Sequence, residues 1–253
     1  PYTVPLGFYR EVVGAAKDRG MGVHTHFLEA SWERTHLEEN LGLDPVSFLE
    51  KSGILDAPSA ILAHCVWLGA REARKITGSS VTIAHNPSSN LKLGSGIAPV
   101  PDFLAGGLPV ALGTDGAASN NRLDVWEEMR LAALLNKGVR LDPTCCTARE
   151  VLRMATFDGA KALGFQRCGR ILEGWNADVV LVNLDQPHYV GHEPATLAQF
   201  LVYAGSSADV CGTMVAGKWV YRNGEYPTLD ARGIDEEVRR SRTDLCLRAQ
   251  GRG

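Results

Sequence analysis

No two cysteines in this chain are spaced as Cys-x-x-Cys, which removes the usual thiolate zinc sites and thiol–disulfide redox motifs. The six present, Cys65, Cys145, Cys146, Cys168, Cys211 and Cys246, are scattered. A chain of 253 residues can bury enough surface to need no disulfide staples, so reduced thiols are expected. No apolar run reaches the length that a bilayer demands, and no secretory leader is recognisable. Neither sign of charge dominates. The 26 basic and 29 acidic residues leave a net −3, which gives no electrostatic footprint for nucleic acid. Arginines gather only near the end (Arg239, Arg240, Arg242, Arg248 and Arg252), interleaved with Asp235, Glu236, Glu237 and Asp244 as on a solvated helix. A phosphate cradle ending in Gly-Lys-Ser/Thr is also missing. These absences leave a cytoplasmic globular protein as the expectation, with no membrane and no nucleic acid among its partners. Its 45% hydrophobic content is enough for a core.

What is present divides near residue 168. Residues 5–19 read as a helix with the apolar stripe Phe8, Val12, Ala15 and Ala16. Four short apolar runs follow and suit buried strands: Met21 to Phe27, Ala60 to Val66, Ser80 to Ala84, and Leu108 to Leu112. Each is followed by helical or loop material. Asp44-Pro45 reads as a helix cap followed by Pro at the first helical position. Residues 86–101, rich in Ser, Asn, Gly and Pro, read as one long loop, with a short helix over Phe103 to Ala105. Residues 123–136 read as a helix whose stripe is Leu123, Trp126, Met129 and Ala133, and Thr147-Ala-Arg-Glu150 as a capping box. This alternation is an α/β pattern with a parallel sheet, barrel or doubly wound. Beyond residue 168, Ala177 to Leu184, Val210 to Ala216 and Lys218 to Tyr221 read as strands of a small β unit. Gly217 and Asn223-Gly224 mark turns, the latter suited to a hairpin. A charged helix is expected over 233–248.

The polar residues most costly to bury sit at the ends of the first four strands. His24 and His26 alternate to one side of theirs, with Glu29 just beyond. Imidazoles suit zinc or iron, although two hydrogen-bonded core histidines would look the same. His64 ends the second run and, alone, reads as structural or catalytic. His85 ends the third. Asp115 lies in Gly113-Thr-Asp115-Gly116. A buried carboxylate there needs a pair, hydrogen bonds or a metal, or else it caps a helix. Ser119, Asn120 and Asn121 either orient Asp115 or cap the 123–136 helix, and at least one of them is expected to be a cap. Asn90 lies in the polar loop, which is a surface loop or a substrate-proximal one. Trp67 lines a pocket or packs a helix. Several imidazoles with a Glu and an Asp on consecutive strand ends can make a metal site with an acid–base group beside it.

In these motifs the chain resembles the amidohydrolase superfamily. The matching text is His24-Thr-His26-Phe-Leu-Glu29, Ala63-His64-Cys65, His85-Asn-Pro-Ser-Ser-Asn90-Leu-Lys-Leu and Gly113-Thr-Asp115-Gly-Ala-Ala-Ser119-Asn-Asn. The similarity points to the branch of cytosine, guanine and adenosine-type deaminases and triazine hydrolases, and within it to the methylthioadenosine/S-adenosylhomocysteine deaminases. The resemblance implies the C-terminal half of a distorted (β/α)8 TIM barrel over residues 1–168, carrying strands five to eight. It also implies part of a small β-sandwich over 169–228 and a helical tail over 229–253. One divalent ion, zinc or iron, would be held by His26 and bound or faced by Asp115. Glu29, His64 and Asp115 would be the catalytic groups. His85, Asn90 and Trp67 would lie near the substrate, with His24 and Ser119 supporting the site from behind. The family's first His-x-His pair is not matched, so the N-terminal half of the barrel is expected from sequence upstream or from another chain. The implied reaction is hydrolytic release of ammonia from an amino-substituted purine or purine nucleoside. The alternatives are a triazine, cytosine, guanine or oxopurine substrate, or an inactive binding protein. A small heterocycle is the expected partner, and the resemblance implies a homodimer as one expected assembly.

Overall fold

The computed structural model describes residues 2–251, so Arg252 of the terminal arginines lies outside the described residues. Two compact units result. The larger runs through Trp175 and takes back Asp185–Ala208, and the smaller comprises Asn176–Leu184 and the chain from Asp209 onward.

In the larger unit the first elements are α1 (Leu6–Asp18), β1 (Val23–Phe27), α2 (Ser31–Thr35), α3 (Pro45–Ser52), β2 (Ala60–His64) and α4 (Ala70–Ile76). Next come β3 (Val81–His85), α5 (Pro87–Lys92), α6 (Val100–Ala105), β4 (Val110–Leu112) and α7 (Ala117–Asn120). After these follow α8 (Val125–Arg140), α9 (Ala148–Arg153) and α10 (Gly159–Ala162). The four strands make one parallel sheet in the order β1-β2-β3-β4, with Val23 opposite Ala60, Ala60 opposite Val81 and Ile83 opposite Val110. This is an α/β architecture in which each strand feeds helices that cover one face of the sheet. On that face Phe27, Leu62, Ile83 and Val110 are buried together with Phe48 and Phe103. Each such side chain contributes roughly 1.5–3 kcal/mol on leaving water. The opposite face carries His24, His26, Ile61, Ala63 and Ala84 and borders a cavity.

Several sequence expectations are corrected. In α1 the buried stripe is Tyr9, Val13 and Ala16, whereas Phe8 and Val12 are exposed. Both stripes have helical spacing. Tyr9 wins because its ring packs edge-on against Phe48 and its hydroxyl pairs with Thr25 Oγ1 at 3.1 Å. The polar stretch 86–101 is not one loop, since it contains α5 and the start of α6. Leu123 lies outside α8 and is 65% exposed. That helix is capped by Asp124, whose carboxylate accepts from the Trp126 and Glu127 N–H groups, and not by Ser119, Asn120 or Asn121. The returning segment 185–208 carries α11 (Leu197–Gln199) and a wider helical turn over Phe200–Ala204. Its Leu201 carbonyl accepts from Trp126 Nε1 at 2.8 Å.

The smaller unit holds β5 (Val179–Val182), β6 (Val210–Val215) and β7 (Lys218–Arg222), antiparallel in the order β5-β6-β7, and α12 (Ala231–Ala249). The β6–β7 hairpin turns on Ala216 and Gly217, both at positive φ as a type I′ turn requires. Asn223-Gly224 makes a second such turn, followed by the single bridge from Arg222 to Glu225. No residue of α12 is buried, and no described helix is long and apolar enough to cross a membrane.

Candidate metal centre

Three of the four parallel strands end in a non-glycine residue at positive φ, either the last of the strand or shortly beyond it. These are Leu28 after β1 (φ 50°), His64 closing β2 (φ 74°) and Asp115 beyond β4 (φ 58°). Each such residue costs about 1 kcal/mol or more, so the surroundings must impose it. At His64 the reason is geometric. Its register partner is Phe27, which faces the helical layer, so regular alternation would send the imidazole away from the cavity. The left-handed turn re-aims it, and its ring stacks on His26 with centroids 5.3 Å apart.

One ligand atom each from His26, His64 and Asp115 lies within 4.8 Å of the others. His64 is fully buried, and its Nδ1 lies 2.8 Å from Asn90 Oδ1. An amide oxygen can only accept, so the ring proton sits on Nδ1 and the neutral ring presents a lone pair at Nε2. The Asn86 amide nitrogen also approaches Nδ1, but at 3.5 Å it does not compete. His64 Nε2 is buried and has no hydrogen-bond partner among the described residues. An orphaned imidazole lone pair, a second imidazole and a carboxylate so close together form a donor set that suits a borderline divalent cation such as zinc or iron. His26 and Asp115, expected as ligands, are both in the cluster, and His64 joins them.

Asp115 is held by its neighbours. Its Oδ2 accepts from Ser89 Oγ at 2.6 Å and from Ser119 Oγ at 2.8 Å, and among the described residues no side chain donates to Oδ1. Burial pushes the carboxyl up, but the donors from Ser89, Ser119 and the Gly116 N–H outweigh it and hold Asp115 below the ordinary aspartate value. Glu29 Oε2 stands 3.7 Å from His64 Nε2, and its Oε1 is approached by Ser95 Oγ at 3.4 Å. His24 lies on the cavity face two residues before His26. Burial, then the charges of His26 and His64, lower its pKa. The cavity measures about 560 Å³ and is lined by His24, His26, Asn86, Gly113 and Asp115 among others. A Cβ at Gly113 would meet Asn86 Oδ1 and force that side chain to move.

Other sequence-predicted residues lie elsewhere. His85 is 1% exposed and sits on the helix-facing side of β3 with Val81 and Ile83, so it does not line the cavity. Asn90 is buried and meets the site only through His64. Trp67 is on the surface beside the site, its Nε1 donating to the Ser95 carbonyl at 2.9 Å. Sequence reasoning missed Ser89 and Ser95 as individual residues. Their only signal was the serine-rich character of residues 86–101.

A sequence profile described as Amidohydrolase family matches residues 1–220. The chain is 42% identical over 249 residues to a 5-methylthioadenosine/S-adenosylhomocysteine deaminase from Dictyoglomus thermophilum, covering 98% of this chain and 58% of that protein. A crystal structure of an adenosine deaminase from Xanthomonas campestris with bound zinc superposes with a TM-score of 0.90 at 33% identity, over 98% of this chain and 56% of that one. An atrazine chlorohydrolase from Arthrobacter aurescens TC1, complexed with zinc, superposes with a TM-score of 0.83 at 31% identity, over 92% and 51%. The chain thus spans between half and three-fifths of the length of these relatives. With matching sequence over most of its length and a parallel sheet that gathers imidazoles and a carboxylate at its strand ends, the chain belongs to the amidohydrolase family.

Proposed function

We propose that this chain supplies the catalytic half of a metal-dependent deaminase that hydrolyses the amino group from a purine or purine-nucleoside ring and releases ammonia. The convergence of His26, His64 and Asp115 within 4.8 Å, with Glu29 beside His64, carries the reading. In this proposal residues 1–168 are strands five to eight of a distorted (β/α)8 barrel, with part of a small β-sandwich over 169–228 and a helical tail beyond it. His26 and Asp115 hold zinc or iron, together with ligands from outside these residues. When bound, such a cation supplies Lewis acidity, which brings the pKa of a water it contacts toward neutrality.

This chain's own groups do the rest. Asp115 Oδ1 takes a proton from the attacking water, whose oxygen bonds to the ring carbon that bears the amino group. Glu29 delivers a proton to the ring nitrogen, because a neutral ring accepts attack poorly until that nitrogen is protonated. Glu29 then takes the proton of the newly added hydroxyl and passes it to the amine, so that the C–N bond breaks, a ring carbonyl forms and ammonia leaves, and the proton on Asp115 returns to Glu29 to restore the starting state. The lone pair of His64 Nε2 accepts a hydrogen bond from the hydroxyl of the tetrahedral carbon and fixes its orientation. The fixed acceptor Asn90 keeps that nitrogen aimed at the site.

The names of the similar proteins support a purine nucleoside first. The similarity to the atrazine chlorohydrolase favours a second reading, hydrolysis of a triazine substituent by the same apparatus. The full-length protein, loaded with zinc, is assayed for ammonia, chloride and alkylamine release from adenosine-type nucleosides, guanine, cytosine, pterins and triazines. The highest kcat/KM is expected on an amino-purine nucleoside, with Asp115→Asn losing about 10²–10⁴-fold in kcat. Release of chloride or alkylamine alone would move the assignment to triazines. Full activity in Asp115→Asn would end the proposed role of that carboxylate.

A further inference from the structure

We propose that Glu33 is a positioning residue that sets the Glu29 carboxylate beside His64, an inference that rests on the acid–base role given to Glu29 above. After β1 the chain turns sharply through Leu28, at positive φ. Three successive backbone N–H groups in that turn converge on one carboxylate. Leu28 N–H donates to Glu33 Oε2 at 3.1 Å, and Glu29 and Ala30 N–H donate to Glu33 Oε1 at 3.0 and 3.2 Å. The backbone on both sides of the Glu29 Cα is therefore fixed by Glu33.

Glu33 is also the third residue of α2, and capping that helix is the simpler account of it. Its burial argues for more. Glu33 is 2% exposed, and no cation pairs with it among the described residues. The helix it would cap has five residues. The other caps supplied from the start of their own helix are on the surface or half-buried: Asp44 on α3 and Thr147 on α9 are exposed, and Glu72 on α4 and Asp124 on α8 are half-buried. Burying an unpaired carboxylate is costly, and only several N–H donors compensate it. Those donors belong to the turn that carries Glu29. The turn bears load in the opposite direction as well. Glu29 meets the Ser95 hydroxyl at 3.4 Å and His64 Nε2 at 3.7 Å, so a small swing of its Cα would carry the carboxylate out of reach of both.

A Gln at position 33 keeps an oxygen for one side of the turn and turns an NH₂ toward the Leu28 N–H, which is donor against donor. In the zinc-loaded full-length protein Glu33→Gln should lose kcat by about 10²-fold, the cost of an ångström-scale misplacement, with KM within about threefold. Zinc content should stay at the wild-type level, and amide exchange at residues 28–30 should speed up. Glu33→Asp keeps the charge but withdraws it by one methylene. It should fall in the same direction by less and serves if the Gln variant does not fold. Asp44→Ala removes an exposed cap and should lower the melting temperature without changing kcat. Faster amide exchange with wild-type kcat would reduce Glu33 to a cap and overturn the proposal, as would unchanged exchange. A wild-type protein that releases no ammonia from any substrate tried would sink the deaminase reading itself. A turning-over wild type matched by both Glu33 variants would sink this proposal alone.

Discussion

A strand residue with two ring nitrogens and no partner for either is expensive unless the ring stays neutral, and His85 is such a residue. It is 1% exposed, and neither Nδ1 nor Nε2 has a hydrogen-bond partner among the described residues. Burial, then the charge of His64, push its pKa down to about 4. In the unfolded chain the same ring protonates near 6.5. Between those values the unfolded state binds a proton that the native state refuses, so stability is fully present above pH 6.5 and is lost as pH falls toward 4. The loss is on the order of 3 kcal/mol. Replacing His85 with Leu should flatten the fall in melting temperature between pH 7.5 and 4.5, and an unchanged slope would refute the assignment. The sequence made His85 look like a site residue, since it stands at a strand end beside a polar stretch as His64 does. What separates the two is one backbone dihedral: His64 turns through φ 74° and stacks on His26, whereas His85 keeps its strand's alternation. Residue types and spacing therefore made His26, Glu29, His64 and Asp115 legible, but not which face a terminal residue takes.

The same divide between local and distant causes runs through the elements. Strands β1 to β4 were legible because their apolar runs are local, and α9 because its capping box is local too. Thr147 and Glu150 do bond each other's backbone N–H groups. Helix α5 was not legible, and the reason is specific. Asn86 makes no side-chain cap to it. The Ser88 N–H donates instead to Glu128 Oε2 at 3.0 Å, a carboxylate on α8 forty residues away that also accepts from Asn120 Nδ2 at 2.8 Å. Asn120 in turn donates to the Thr114 carbonyl beside Asp115. Glu128 is 1% exposed, so truncating it removes the acceptor of the half-buried Ser88 N–H and one of the two acceptors of the Asn120 amide. Glu128→Ala should destabilise the protein by ~3 kcal/mol in urea unfolding. It should also weaken zinc binding, because α5 carries Ser89 and α7 carries Ser119, the two hydroxyls that hold Asp115. A variant that loses less than about 0.5 kcal/mol would show that α5 stands without this cap.

At the scale of the whole molecule, the clustered residues come from segments 38 and 51 residues apart, counting from His26 to His64 and from His64 to Asp115. Only the folded sheet brings them together, through the parallel register that sets His26 beside Ala63 and through the turns that close β2 and follow β4. A cation held by His26 and Asp115 where this cluster assembles binds the native state and not the unfolded one, so metal binding and folding are linked. Zinc at a thousandfold excess over its Kd should then add ~4 kcal/mol to the stability of the metal-stripped full-length protein. The added stability should shrink sharply in His26→Ala, which removes a ligand, and persist in Asp44→Ala, which removes only a distant cap. The size of the effect separates the two ways in which this cluster could arise. If His26, His64 and Asp115 were a satisfied core network, a cation would have to break hydrogen bonds to enter and would stabilise little. His64 Nε2 has no such bond to break. A melting temperature that ignores zinc in calorimetry would leave that buried nitrogen unexplained and would count against a metal centre at these three residues.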